Sequence, residues 1–204
     1  MARRRQLSAD RGGIAALEFA LMAPFLVALV LGIVEVSLRV RAADTFQRYL
    51  YQAGDFVSRQ DQLFTGDIDG IYAAAPDIMA PLDTAGRLDI DVASIGFIAD
   101  GSPELLWRRE RGNSPAEIDL NRTEGMGEPG ESVIRVGATY RYTTPLSAIL
   151  GAGSMTLTRE VYFRPRLTRV IALDGEIHDA GANWTLDGQS TEGEVTNEEW
   201  EPGT

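Results

Sequence analysis

The chain reads as an α+β protein, a long N-terminal helix packed on a small antiparallel sheet of about four strands. Three observations predict it. An apolar stretch, Ile14–Val34, runs directly into a stripe of apolar residues spaced three and four apart. After Gly86 the apolar period drops to two. The segments that follow are separated by Gly- and Pro-containing turns, as in an antiparallel sheet.

Taken in order, residues 1–13 form a short polar head carrying Arg3, Arg4, Arg5 and Arg11. Ile14–Val34 follows, with Glu18 as its single ionisable group. At the rise of an α-helix these residues cover roughly 30 Å, the thickness of a bilayer's hydrocarbon core. Arginines flank the span on both sides, so charge alone orients it weakly toward a cytoplasmic N-terminus. A short head before a long following domain supports the same single-pass orientation. Beyond Glu35, residues 35–62 extend the helix with Ala42, Phe46, Tyr49, Leu50, Ala53, Phe56 and Val57 on one stripe. Glu35 and Arg39 are an i,i+4 pair in the favourable order. The continuous helix is expected from about Ile14 to about Gln60, and its second half requires a partner for one face.

Residues 63–173 supply that partner. A second helix is expected from Asp67 to Ala75, with Ile68, Ile71, Tyr72 and Ala75 on one side and Pro76 ending it. Strands are expected at 88–99, 104–110, 131–145 and 154–165, the last two alternating and rich in β-branched and aromatic residues. In the first of them Leu88, Ile90 and Val92 share a face, and Ile95 and Phe97 continue the apolar run. The Gly- and Pro-containing stretch 112–130 reads as a long mobile loop. From Asp174 to Thr204 the chain has nine Asp or Glu and no cation, and this reads as a largely disordered acidic tail.

Composition excludes several functions. A net charge of −11 over 204 residues leaves no basic surplus for neutralising phosphates, so no nucleic-acid partner is expected. With no Cys, disulfides, thiolate nucleophiles and zinc–thiolate sites are excluded together. With no Lys, a phosphate-binding GxxxxGK[ST] loop cannot exist. There is no GxSxG, HExxH or EF-hand loop. The lone His178 falls in the acidic tail and reads as a solvated loop residue. The paired acids of LDIDV and GDIDG are adequately explained as exposed alternate positions. Segment 174–188 lacks the spacing of a known calcium loop. Asn121 and Asn183 are glycosylation sequons by pattern only, and Trp184 and Trp200 read as part of the disordered tail, with docking on a partner as the alternative. No enzyme activity, cofactor, metal or small-molecule substrate is expected.

Glu18 has three readings. It can snorkel from near the end of the span, about 6 Å along the helix from its start. The segment can instead be a secretory signal cut after Ala42, although its apolar run is long and Glu35, Arg39 and Arg41 crowd the cut. Or the intramembrane charge is functional and has a specific partner. The surrounding residues favour the last. Gly13 is followed by four apolar residues, then Glu18, then Phe19, with basic residues before and a long apolar run behind. This is similar to the processing site of type IV prepilins. More broadly, RGGIAALEFALMAPFLVALVLGIVEVSLR resembles the opening of the TadE/TadG-like minor pilins (pseudopilins) of the Tad, or Flp, type IVb pilus system. The matching features are Arg11 through Leu21, Pro24, and Gly32, Ile33 and Glu35. RVGATYRYTTPLSAILGAGSMTLTREVYFRPR, residues 135–166, resembles the family's C-terminal strand pair.

That resemblance implies a pilin-like fold and a structural, assembly role. It implies cleavage between Gly13 and Ile14 by a prepilin peptidase, with Phe19 in the recognition site. It also implies Glu18 as the charge partner of the new Ile14 amine on a neighbouring subunit. The implied partners are the peptidase, other pilins and pseudopilins, inner-membrane pilus platform proteins and the membrane itself. The implied location is the bacterial inner membrane, with the C-terminal domain periplasmic. The alternative function is an uncleaved, single-pass, membrane-anchored periplasmic binding module whose acidic tail captures a partner.

Overall fold

A computed structural model describes residues 11–113, 117–177, 184–185 and 188–189. Helix α1 spans Arg11–Ser58. Its 48 residues amount to about 72 Å of α-helix. Pro24 lies inside it. The ring takes away the hydrogen bond to the Ala20 carbonyl, yet the helix continues on both sides. After α1 come strand β1 (Gln62–Leu63), α2 (Thr65–Ala73), α3 (Ala75–Ile78), β2 (Leu88–Phe97) and β3 (Pro103–Arg111). A 3₁₀ turn (Leu120–Thr123), β4 (Ser132–Tyr142), α4 (Ser147–Leu150), β5 (Met155–Phe163), β6 (Ala172–Leu173), β7 (Trp184–Thr185) and β8 (Gly188–Gln189) complete the order.

The expected antiparallel sheet is present, with strand order β3-β2-β4-β5. The chain divides into two compact units. One holds the N-terminal part of α1 to Ala42 together with Thr143–Ser154, and the other holds Ala43–Tyr142 and the chain from Met155. In the second unit the sheet covers the amphipathic part of α1. Phe46, Tyr49, Leu50 and Val57 are fully buried, and Phe46 stacks on Tyr140 at 5.9 Å between ring centroids. Gly54 lets the helix approach the sheet, because a Cβ there would stand 2.2 Å from the Phe163 ring. The Tyr49 hydroxyl donates to the Ile71 carbonyl at 3.1 Å, which ties α1 to α2. Burial then pushes the Tyr49 phenol well above its ordinary value.

Register assigns the two faces of the sheet. Leu88 lies opposite Tyr140, Val92 opposite Val136, and Val136 opposite Val161, so these share the face that packs on α1. Ile95 and Phe97 have the other parity and fall on the opposite face. There they form a second small core with Val133, against which Ile118, Leu120, Met126 and Tyr162 pack. The apolar run of β2 is therefore two half-patterns on two faces. A sequence period of two registers the alternation; both positions become apolar only where something covers each side. The cover on the second face comes from the 112–130 segment, expected as a mobile loop. Its described part carries the 3₁₀ turn, capped by Asp119, whose side chain accepts from the Asn121 N–H.

The second helix starts two residues earlier than expected and breaks at Ala74. Pro76 lies in the first turn of α3, where its missing N–H costs nothing, instead of ending a helix. In α2 the Asp67 carboxylate accepts the Phe64 N–H at 2.8 Å. The start of the acidic segment is ordered. Asp174 adopts φ 54 and accepts from the Thr65 N–H at 2.9 Å and the Thr65 hydroxyl at 2.6 Å. Trp184 donates to Glu104 Oε2 at 2.8 Å and lies over Gly96. His178, Asn183 and Trp200 lie outside the described residues.

The second face of the sheet also buries charge, so the acids of LDIDV are not the exposed positions expected (Asp89 is 1% exposed), and those of GDIDG lie on α2 instead of a strand. Asp91 is 0% and Arg135 1% exposed. Arg135 Nη1 meets Asp91 Oδ2 at 2.5 Å and its Nε meets Glu160 Oε2 at 2.9 Å. Arg108 Nε lies 3.3 Å from the same Asp91 oxygen, and Arg122 pairs with Glu160. Desolvation pushes the Asp91 carboxyl up, and the neighbouring Arg135 and Arg108 oppose it. Removing one member of such a pair leaves the other buried and uncompensated. Asp91→Ala should therefore lower the unfolding free energy by about 3–5 kcal/mol. Urea unfolding in detergent, followed by Trp fluorescence, measures this.

Candidate functional site

The N-terminal part of α1 presents its side chains outward. Ile14 is 62% and Phe19 68% exposed, and Glu18 is exposed between them. Gly13 lies within the helix, and a Cβ there would meet nothing within 4 Å. Sequence separations of one, four and five place Ile14 and Glu18 one turn apart on the same side of α1, with Phe19 beside Glu18. Leu21, Met22, Phe25, Leu29, Val30 and Ile33 are likewise exposed. Almost none of this apolar window is buried inside the molecule. That excludes the reading of a core helix in a soluble fold, which would be mostly covered. The helix is long and apolar enough to cross a membrane. Ala42, the residue at which a secretory signal would be cut, is buried in mid-helix. Cleavage there would break the element whose next turns fill the core of the second unit.

At the end of the apolar window stands a polar clasp. Glu35 is 6% and Thr144 4% exposed. The Thr144 hydroxyl donates to Glu35 Oε2 at 2.5 Å. Arg39 Nε donates to Glu35 Oε1 at 2.8 Å, and its Nη2 reaches the Gly153 carbonyl at 3.2 Å. Both ends of the β4–β5 connection are thus pinned to one turn of α1. The i,i+4 spacing of Glu35 and Arg39 is legible in sequence. Thr144, 109 positions away from Glu35, is not, and no local signal could have found it.

Two concavities lie among the described residues of the second unit. A groove of about 300 Å³ is lined by Tyr49, Ala53, Phe56, Gly70, Ile71 and Ile78, among others. A polar cleft of about 350 Å³ is lined by Glu117, Arg122, Arg135, Thr158, Arg159 and Glu160. Its Arg122 and Arg135 are both committed to Glu160, so they offer no spare charge to an anion. No cluster of His, Cys, Asp or Glu suited to a metal ion occurs among the described residues.

What these features define is a membrane-anchored α+β protein whose anchor and domain share one helix. Residues 13–55 match the family model of the TadE-like protein. The match begins at Gly13 and includes Ile14, Glu18, Phe19, Glu35 and Arg39, so the resemblance read from the opening residues stands. Neither the curated proteins nor the solved structures contain a match to the chain.

Thr144→Val removes the donor to Glu35 while keeping the side chain's size. Amide hydrogen exchange across 143–154 should then speed up several-fold, with β4 unchanged through its ladder to β2. Exchange measured by mass spectrometry on the full chain in detergent checks both parts.

Proposed function

We propose that this chain is a minor pilin, or pseudopilin, that takes part in assembling a Tad (Flp) type IVb pilus. The observation that carries the reading is the TadE-like match over residues 13–55, which coincides with the outward-facing apolar helix. A prepilin peptidase cuts between Gly13 and Ile14, with Glu18 and Phe19 in its recognition site. Because the apolar segment lies beyond the cut, cleavage leaves the protein anchored. The chain sits in the inner membrane by a single pass over residues 14–34, with residues 1–13 cytoplasmic. Its domain is periplasmic, comprising the helix extension 35–62 and the α+β part 63–173, followed by an acidic tail. It binds other pilins and the inner-membrane platform and catalyses nothing itself.

The residue chemistry suits this. Cleavage creates an α-amine at Ile14 whose ordinary pKa, about 7.7–8.0, leaves it largely cationic. Within lipid, an unpaired Glu18 carboxylate and an unpaired amine are each costly, whereas a pair between neighbouring subunits compensates both. Glu18 then sets the axial register of one helix against the next. Removing four Arg and one Asp with the leader takes the formal charge from −11 to −14.

Replacing the chain in its own cells by Gly13→Ala and Glu18→Ala tests the proposal. Gly13→Ala should leave the precursor unprocessed, seen as a slower-migrating band in the membrane fraction. Glu18→Ala should insert normally but reduce surface pili severely. Normal piliation with Glu18→Ala would overturn the register role.

A further inference from the structure

The β4–β5 connection is uncharged from Tyr142 to Thr158, and its middle reads PLSAILGAG. Such a long stretch without a charge is unusual for a surface connection, which water would ordinarily solvate. Thr144 is buried in the clasp, but the connection also carries an apolar side chain that is open to solvent. Ile149, in the single turn of α4, is 72% exposed, and Leu146 is half-buried. Within this unit the connection has one neighbour, the N-terminal part of α1.

The clasp fixes where on α1 it lies. Glu35 is the first charge after Glu18, and it follows Ile14 by 21 positions, about 31 Å of helix. That length matches a hydrocarbon core, so a span starting at Ile14 ends at Glu35. Thr144 is held at this level by Glu35, and Gly153 one turn further along by Arg39. Leu31 and Gly32, one turn before Glu35, are partly covered, whereas residues 24–30 are exposed. Cover in this unit therefore reaches into the apolar span. On the other sides of the same turns Ile33, Val36 and Val40 are exposed at 59%, 61% and 53%. The exposed Ile149 thus belongs to a short connection whose two ends are tied to the turn of α1 where the apolar window stops.

From this placement we infer that the Thr143–Ser154 connection is a second membrane contact. It seats Ile149 in the headgroup–acyl boundary of the bilayer that α1 crosses. The inference rests on the reading of α1 as a membrane anchor. Such an element lies in the interface without spanning it, and apolar area buried beside the headgroups holds it there. The Glu35–Thr144–Arg39 clasp aims it, since both of its ends are tied to the turn of α1 at the lipid boundary.

The chain has no Cys, so single nitroxide labels can be placed at will. Ile149→Cys is compared with Leu26→Cys in mid-span and with the exposed loop position Glu124→Cys. Each full-length variant is reconstituted in phosphatidylethanolamine–phosphatidylglycerol vesicles, and relaxation by oxygen and by a polar nickel chelate is measured. The oxygen-to-nickel ratio at Ile149 should exceed that at Glu124 several-fold, toward the value at Leu26. A ratio at Ile149 equal to that at Glu124, with Leu26 lipid-exposed, overturns the inference and leaves the anchor intact. Protection of Ile149 from both agents overturns it too, because the surface is then covered by protein. A water-like ratio at Leu26 overturns the anchor reading, and this inference falls with it.

Discussion

One helix has to satisfy two solvents. Apart from the Ala20 carbonyl, which loses its donor at Pro24, helix α1 keeps the backbone hydrogen bonds of its span internal, as a hydrocarbon environment demands. Its N-terminal turns expose apolar residues on every side, a surface that water would not sustain and lipid would. After Ala42 the same helix gives one face to the sheet, so its buried residues recur at helical spacing. Anchor and domain are joined without a loop. A cut inside the helix at Ala42 would remove the anchor and disturb the core together, whereas a cut before Ile14 would disturb neither.

The sheet shows a division of labour that follows from parity. The face toward α1 is almost wholly apolar and takes the aromatic residues Tyr140 and Phe163. The opposite face combines a small core around Ile95, Phe97 and Val133 with a buried ion network around Asp91 and Arg135. Buried ion pairs contribute little net stability relative to an apolar replacement. Their effect here is to specify the register of β2, β3, β4 and β5, since a slip of one residue would bury Asp91 or Arg135 unpaired against α1.

Most of the fold was legible because its elements announce themselves locally. Strand pattern and turn residues located all four main strands within three residues at each end, and the apolar run passing into an amphipathic stripe located α1. What escaped needed information from distant chain. The two-sided burial of β2 depends on the 112–130 segment, whose Gly and Pro suggested mobility; its apolar Ile118, Leu120 and Met126 were the signal that it packs. Pro76 read as a helix end, although proline is equally at home in a first turn. Asp174 looked like the start of an acidic run, but its bonds to Thr65 bridge 109 positions. For the candidate site, Gly13, Ile14, Glu18 and Phe19 were legible as a pattern of residue types. Thr144 was not, since nothing near it in sequence points to Glu35.

The central claim is that the apolar segment serves both as an anchor and as a processing address, with Glu18 placed for an amine that cleavage creates. Intact mass and N-terminal sequencing of the chain drawn from its own membranes tests this most directly. The account predicts a chain that begins at Ile14 and remains in the membrane fraction. A chain beginning at Met1 in cells with an active prepilin peptidase, or at Ala43, would contradict it.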